Sequence, residues 1–320
     1  MRTTPFTREV RHAGVACGII AASSDIAAMP VSVASFFHAA TNTWSHVAAD
    51  PSGRVAAIID PVLDFDPASG RVWTDAAHHV LAHVRAHGLR VAWILETHAH
   101  ADHLTAADWL KRTLAADGEP PRLGIGAGIV AVQRHFRDVF AFGAEFAADG
   151  SQFDRLFADD ERFLLGDEEV RVLATPGHTS DGVSYVIGDA VFVGDTLFAP
   201  HGGTGRCDFP GGDAATQYRS IRRLYELPDA TRVFLCHDYP AAGAEPQCAS
   251  TIGAEKAGNV QLGAATGEAD YVAFRTRRDA TLAAPRLLYP SLQVNICAGR
   301  LPPADAAGRR FLRLPLQSTP

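Results

Sequence analysis

Thr97-His98-Ala99-His100-Ala101-Asp102-His103 is the stretch that decides how the rest of the chain reads. It follows an apolar run, 90–95, that reads as a short buried strand. A helix is expected to begin near His103, because Leu104, Ala107, Leu110 and Leu114 recur at helical spacing. Three imidazoles and a carboxylate therefore converge on one strand-end loop, where a rigid strand positions functional side chains. Neutral imidazole nitrogen suits zinc, iron and other borderline metals, and a carboxylate adds charge compensation. A plain helix cap at Asp102 would explain only one of the four residues.

Working outward, three further motifs follow strand-like runs at 170–174, 191–193 and 232–235. They are Thr175-Pro176-Gly177-His178-Thr179, Val193-Gly194-Asp195-Thr196 and Cys236-His237-Asp238-Tyr239. Each is weak alone. Together they place histidines and carboxylates at the ends of four strands, in an order that one sheet edge could gather. Other β-type runs lie at 31–37, 45–49, 55–59, 162–165 and 183–187, and Ile59-Asp60-Pro61 ends one of them with a turn signal. Gly188-Asp189 reads as a hairpin turn. Helical patterns cover 74–87 and 214–225, with two mainly helical stretches and a Pro- and Arg-containing tail after Pro246. Two sheets packed face to face, with helices outside, satisfy this order.

The 320 residues, 47% hydrophobic and 20% charged, suit an ordinary globular protein. A net charge of −7 excludes an electrostatic footprint for nucleic acid or an anionic membrane surface. The five cysteines are scattered and form no CxxC pair, so neither a disulfide framework nor a structural zinc site is expected, and a cytoplasmic setting is. No apolar run is long enough to span a bilayer. Arg2, Arg8 and Arg11 precede a weakly apolar stretch at 13–22, and residues 1–29 read as a dispensable extension rather than a secretory signal. His78, His79, His83 and His87 crowd one helix, but no carboxylate accompanies them, and they read as a solvated face. The Arg pairs at 222–223, 277–278 and 309–310 are isolated and read as solvated or salt-bridged.

The set formed by THAHADH, PGHT, GD and HDY resembles the metallo-β-lactamase superfamily. Gly205-Arg206-Cys207-Asp208-Phe209, with Gly212-Asp213 and Tyr218, resembles its persulfide dioxygenase branch. Ile59-Asp60-Pro61-Val62-Leu63 and Leu292-Gln293-Val294-Asn295-Ile296 fit the bacterial β-lactamase-like hydrolase group within that branch. The resemblance runs from about Val31 to the C-terminal tail. It implies an αββα sandwich of two mixed sheets flanked by helices, over a catalytic domain at 30–245. A mainly helical extension at 246–320 would pack on that domain.

The resemblance also implies one Fe(II) per chain, held by His98, His178 and Asp195, a two-histidine, one-carboxylate set that leaves coordination positions open. The implied reaction joins O2 to a low-molecular-weight persulfide, most simply that of glutathione, giving sulfite and the free thiol. Asp102, His103 and Tyr239 would serve the chemistry. His100, Asp102, His103, His237 and Asp60 would orient ligands and bound water. Arg206 and Asp208 would pair and hold a loop beside the site. Two departures stand out. Cys207 occupies a position where relatives commonly carry threonine, as a small buried side chain or an oxidisable thiol. No basic residue lies at 259–261, where some relatives place an arginine towards glutathione; Lys256, Arg275 or Arg277 could substitute. The same side chains also suit a glyoxalase II-like thioesterase with two Zn ions, in which Asp195 bridges and Asp102, His103 and His237 hold the second ion. A third alternative is a sulfide- or redox-responsive binding module whose metal site is vestigial. A homodimer is compatible with the sequence, which names no contact surface for it.

Overall fold

The structure of the protein, a computed structural model, describes residues 30–241 and 243–316. The extension read at 1–29 lies outside the described residues. The first half comprises β1 (Ser32–His38), β2 (Thr43–Ala49), β3 (Val55–Ile59), β4 (Val62–Asp66), β5 (Arg71–Trp73) and α1 (Asp75–Ala86). It continues through β6 (Arg90–Leu95), β7 (Leu104–Thr105), α2 (Ala107–Leu114), β8 (Arg122–Gly126), α3 (Ile129–Val139) and β9 (Arg155–Phe157). The second half holds β10 (Arg162–Leu165), β11 (Glu168–Ala174), β12 (Val183–Ile187), β13 (Ala190–Phe192), a single 3-10 turn at Gly194–Thr196 and α4 (Ala214–Leu224). It ends with β14 (Arg232–Phe234), β15 (Ala249–Thr251), α5 (Ile252–Gly258), α6 (Glu268–Asp279) and α7 (Leu288–Asn295).

Two six-stranded mixed sheets result, ordered β1-β2-β3-β6-β8-β9 and β10-β11-β12-β13-β14-β15. A small third sheet, β5-β4-β7, stands beside the first. Strand alternation explains the layers. Ala56 and Ile58 face the side covered by α1, α2 and α3, whereas Ala57 and Ile59 face the second sheet. On that second sheet Ala190 and Phe192 point back between the sheets, and Val191 points outward to Ile221 and Leu224 of α4. Ile58 and Ile59 are fully buried on opposite faces, each side chain contributing roughly 1.5–3 kcal/mol. The four layers are the αββα sandwich.

Several expectations are corrected. No helix starts near His103; β7 intervenes, because Thr105 donates its N–H to Asn295 and its hydroxyl to Glu96, and α2 starts at Ala107. After Pro246 the described residues hold three helices where two mainly helical stretches were expected, and β15 pairs with β14, so the second sheet continues past that proline. β4, β5, β8, α3 and β9 had no counterpart in the sequence reading. β8 needs its glycines for packing: a Cβ at Gly124 would lie 2.4 Å from the Phe157 ring.

Candidate metal centre

β11 and β13 run the same way, and β14 lies parallel to β13. Their C-terminal ends deliver His178, Asp195 and His237 to one edge of the second sheet. β6 delivers the 97–103 loop from the first sheet to the same place. Ligand-type atoms of His98, His178 and Asp195 lie within 4.8 Å of one another, as do those of His100, Asp102, His103 and His237. The two groups meet at Asp195. Its Oδ2 is 3.4 Å from His178 Nε2 and 4.0 Å from His98 Nε2, and its Oδ1 is 3.4 Å from His237 Nε2. His237 Nε2 is also 3.2 Å from Asp102 Oδ2.

Close approach demands Gly194, whose φ is +53°. A Cβ there would sit 2.6 Å from Thr97 Oγ1 and 3.3 Å from His98 Nδ1. Asp60 is a left-handed residue too, at φ +49°, a conformation Asp tolerates better than most. Its carboxylate accepts from Thr97 N (2.8 Å), Thr97 Oγ1 (2.9 Å) and His100 Nε2 (3.0 Å).

Hydrogen bonds behind the rings settle their tautomers. Thr97 gives its hydroxyl proton to Asp60, so it accepts from His98 Nδ1–H at 3.0 Å. His178 Nδ1–H donates to the Arg206 carbonyl (2.6 Å), and His237 Nδ1–H to the Asn42 carbonyl (3.0 Å). In each case Nε2 is left to face Asp195. His98 Nε2, His237 Nε2, Asp195 Oδ1 and Asp102 Oδ2 are buried without a hydrogen bond. Orphaned buried nitrogens and oxygens are costly unless something binds them, and this donor set fits a metal ion. Burial, reinforced by the neighbouring imidazoles, holds His98 far below the usual imidazole range, and burial takes His103 down to about 4. Both are thereby neutral, as ligation requires. Burial opposes ionisation of Asp102, but His237 and His103 outweigh it and hold the carboxyl low. Beneath the site burial likewise opposes the charged form of His100, and Asp60 overrides it, raising the imidazole.

The floor opens into a cavity of about 560 Å³ reached past Phe198, Phe209 and Tyr239. Tyr239 is 58% exposed and stacks on His237, with ring centroids 5.9 Å apart. Arg206 and Asp208 do pair, through Nε–Oδ1 (2.5 Å) and Nη2–Oδ2 (2.6 Å). Asp208 is 38% exposed, so the pair sits at the cavity rim. Arg206 also lies over Phe209, which packs edge-on against His178. Cys207 is a small buried side chain, the first of its two readings: its thiol donates to Gln217 Oε1, and burial pushes its pKa far up, so it is not an activated thiol. Lys256 pairs with Asp229 away from the cavity, and Arg277 does not line it. Arg275 lines it but is buried against Asp279 and Gln261. Among the described residues the helix histidines 78, 79, 83 and 87 form no metal cluster.

Sequence reasoning missed the groups that brace the loop from behind. Asp181 accepts from Ala99 N at 2.8 Å. Asn295, from α7, donates to the carbonyls of both His100 and His103 at 2.8 Å. Backbone partners leave no mark in a motif; the signal available was the isolated polar residues Asp181 and Asn295.

The metallo-beta-lactamase superfamily model matches residues 51–237. The chain belongs to the metallo-β-lactamase superfamily. It is 47% identical to a probable metallo-hydrolase of Burkholderia pseudomallei, over 90% of this chain and 100% of that one. It is 43% identical to Glyoxylase B2 of Dictyostelium discoideum, over 86% and 93%. Identity to the human mitochondrial persulfide dioxygenase ETHE1 is 27%, over 66% and 69%. The crystal structure of ETHE1 from Myxococcus xanthus matches with a TM-score of 0.65 at 27% identity, over 84% of this chain and 100% of that one. The protein is thus an enzyme of this superfamily with a metal-binding His/Asp cluster. No helix among the described residues is long and apolar enough to cross a membrane.

Proposed function

We propose that the protein is a non-haem Fe(II) persulfide dioxygenase, with His98, His178 and Asp195 holding one iron. The observation that carries this reading is how the two groups are held. His98 and His178 each have the outer nitrogen engaged, by Thr97 and by the Arg206 carbonyl. In the other group His237 has such a partner in the Asn42 carbonyl, but His103 has no partner outside the group, its Nδ1 approaching only Asp102 Oδ1 at 3.4 Å. Outer hydrogen bonds orient ligands and raise their basicity, so the first group is the prepared one. An iron held by two imidazoles and one carboxylate would supply redox chemistry able to couple a sulfur substrate to O2. The likeness to ETHE1 over 84% of this chain adds support.

The proposed reaction balances as RSSH + O2 + H2O → RSH + sulfite + two protons. The terminal sulfur is oxidised, O2 takes four electrons, and no external reductant is needed. Asp102, at the cavity floor, stays ionised and accepts hydrogen bonds from water or substrate entering the site. Tyr239 presents its hydroxyl to the substrate from the cavity wall. Phe198 and Phe209 keep bulk water from the floor. Arg206 and Asp208 fix the loop whose carbonyl orients His178.

A dinuclear zinc thioesterase is the competing reading, because Asp195 turns one oxygen to each group and Glyoxylase B2 is a nearer relative than human ETHE1. Metal analysis of protein purified without added metal, followed by anaerobic Fe(II) loading and O2-electrode assay with glutathione persulfide, separates them. One iron with O2 uptake and sulfite supports the proposal. Two zincs with thioester cleavage and no O2 uptake would overturn it.

A further inference from the structure

Four arginines line the cavity above the metal cluster: Arg206, Arg275, Arg278 and Arg286. This concentration is notable in a chain of net charge −7. The acidic side chains lining the same cavity are Asp102 and Asp195, both at the floor among imidazoles. Two of the arginines are already neutralised. Arg206 is bidentate with Asp208, and Arg275 is buried against Asp279 at 2.6 Å. Arg278 and Arg286 are exposed, and among the described residues neither forms a salt bridge within 4.0 Å; Arg278 donates to Thr281 Oγ1 at 3.2 Å, and the charge of Arg286 reaches Asp66.

The neutralised pair holds the free pair in place. Arg275 donates to the Thr204 carbonyl at 3.0 Å, and Asp279 accepts from Cys207 N at 2.8 Å, tying α6 to the loop beside His178. Arg278 stands on α6 next to that anchor. Arg206 Nη1 donates to the Ala283 carbonyl at 2.7 Å, pinning the segment that carries Arg286. Leu282 and Leu287 supply apolar wall between rim and floor. A molecule filling this space would place its reacting end at Asp195 and any anionic groups at the arginines. A cation held in position before binding loses less freedom on complex formation, and an Arg fork matches a carboxylate.

We infer that Arg278 and Arg286 form a carboxylate-binding rim that selects persulfides whose thiol carrier bears carboxylates over uncharged ones. The inference rests on the proposed persulfide reading for the identity of the reacting end. The rim comes from residues beyond the matched 51–237 region, so this part of recognition belongs to the C-terminal segment.

Two measurements test it separately. The first is binding alone: calorimetric titration of the full chain with S-methylglutathione, which keeps both carboxylates and cannot be oxidised as a persulfide. Each single variant, Arg278→Gln or Arg286→Gln, is expected to weaken binding about three- to fivefold, and the double variant roughly tenfold or more. The loss should shrink as ionic strength rises. Arg277→Gln, outside the cavity, serves as the control and should bind as wild type. Equal binding by wild type and the double variant at low salt would overturn the inference, as would no binding by wild type. The second measurement is turnover: the ratio of kcat/KM for glutathione persulfide to that for 2-hydroxyethyl persulfide, expected to fall about tenfold in the double variant. A ratio unchanged in the double variant counts against the rim. Absence of O2 uptake by wild type with every persulfide, alongside the binding loss, would remove the dioxygenase reading and leave the rim standing. Circular dichroism and thermal melting of the variants confirm that these exposed substitutions leave the fold intact.

Discussion

At Asp195 two groups of side chains meet, one on each carboxylate oxygen, and they are held from behind in different ways. His98 and His178 are each fixed through the ring nitrogen that faces away from the cluster, and behind His98 the Thr97 hydroxyl leads to Asp60. In the second group His237 has such a partner in the Asn42 carbonyl, but His103 has none and Asp102 is 27% exposed towards the cavity. Metal affinity depends on ligands held ready as well as on ligand count. The difference teaches that one fold edge can carry the full inventory for two ions while preparing one position better than the other.

The largest expected effect comes from the residue the two groups share. Asp195→Ala should abolish stoichiometric metal binding and lower O2 uptake by more than about a hundredfold, since loss of an outer partner alone costs 10–100-fold. Retention of one full equivalent of metal by this variant would break the assignment of Asp195 to both groups. Next comes Asp60→Asn, which keeps the shape but weakens the acceptor behind Thr97 and His100. Metal affinity, measured by competition with a chelator, should fall about 10–100-fold; an unchanged affinity would mean the relay behind His98 has no part in preparing the first group. His103→Ala sharpens the comparison most directly. With one prepared position, bound iron should stay near one equivalent while turnover drops roughly tenfold. A wild type carrying two ions and a variant carrying one would instead show that the second group is a working site.

Which parts of this were legible beforehand follows from how each residue is used. The runs at 55–59, 90–95, 162–165 and 183–187 appear as strands at those bounds, because short apolar runs between turn residues have few other uses. β8 escaped notice because Gly124 and Gly126 lower its strand propensity. Their purpose is tertiary: a Cβ at Gly126 would lie 2.5 Å from the Asp181 carbonyl. The strand-end histidines and carboxylates were legible since their spacing after apolar runs is itself the signal. The groups behind them were not, because His178 and His237 rely on the carbonyls of Arg206 and Asn42, and any residue has a carbonyl. Cys207 was legible as a small buried side chain, but the choice between that and an oxidisable thiol was not, since exposure and charge environment cannot be seen in a one-residue departure. The rim arginines were missed for a related reason. Arg278 was half of an isolated pair with Arg277, and only the fold shows that one of the two reaches the cavity.

The smallest expected effect tests how the second group is supported. Asn295 is buried and bridges three backbone groups, accepting from Thr105 N at 2.9 Å and donating to the carbonyls of His100 and His103. These bonds fasten α7 to the loop that carries both groups. Asn295→Ala removes the partner of a buried amide and of two buried carbonyls, which costs on the order of 1–3 kcal/mol. The midpoint of denaturant unfolding should therefore fall, with an unchanged dependence on denaturant. Asn295→Asp keeps the acceptor for Thr105 N but loses both donations, so it separates the two halves of the contact. If the bridge chiefly sets the position of His103, both variants should lose turnover out of proportion to their loss of bound metal. A fall in metal affinity equal to that of Asp60→Asn would show that the first group leans on α7 as heavily as the second, and the contrast between the groups would disappear.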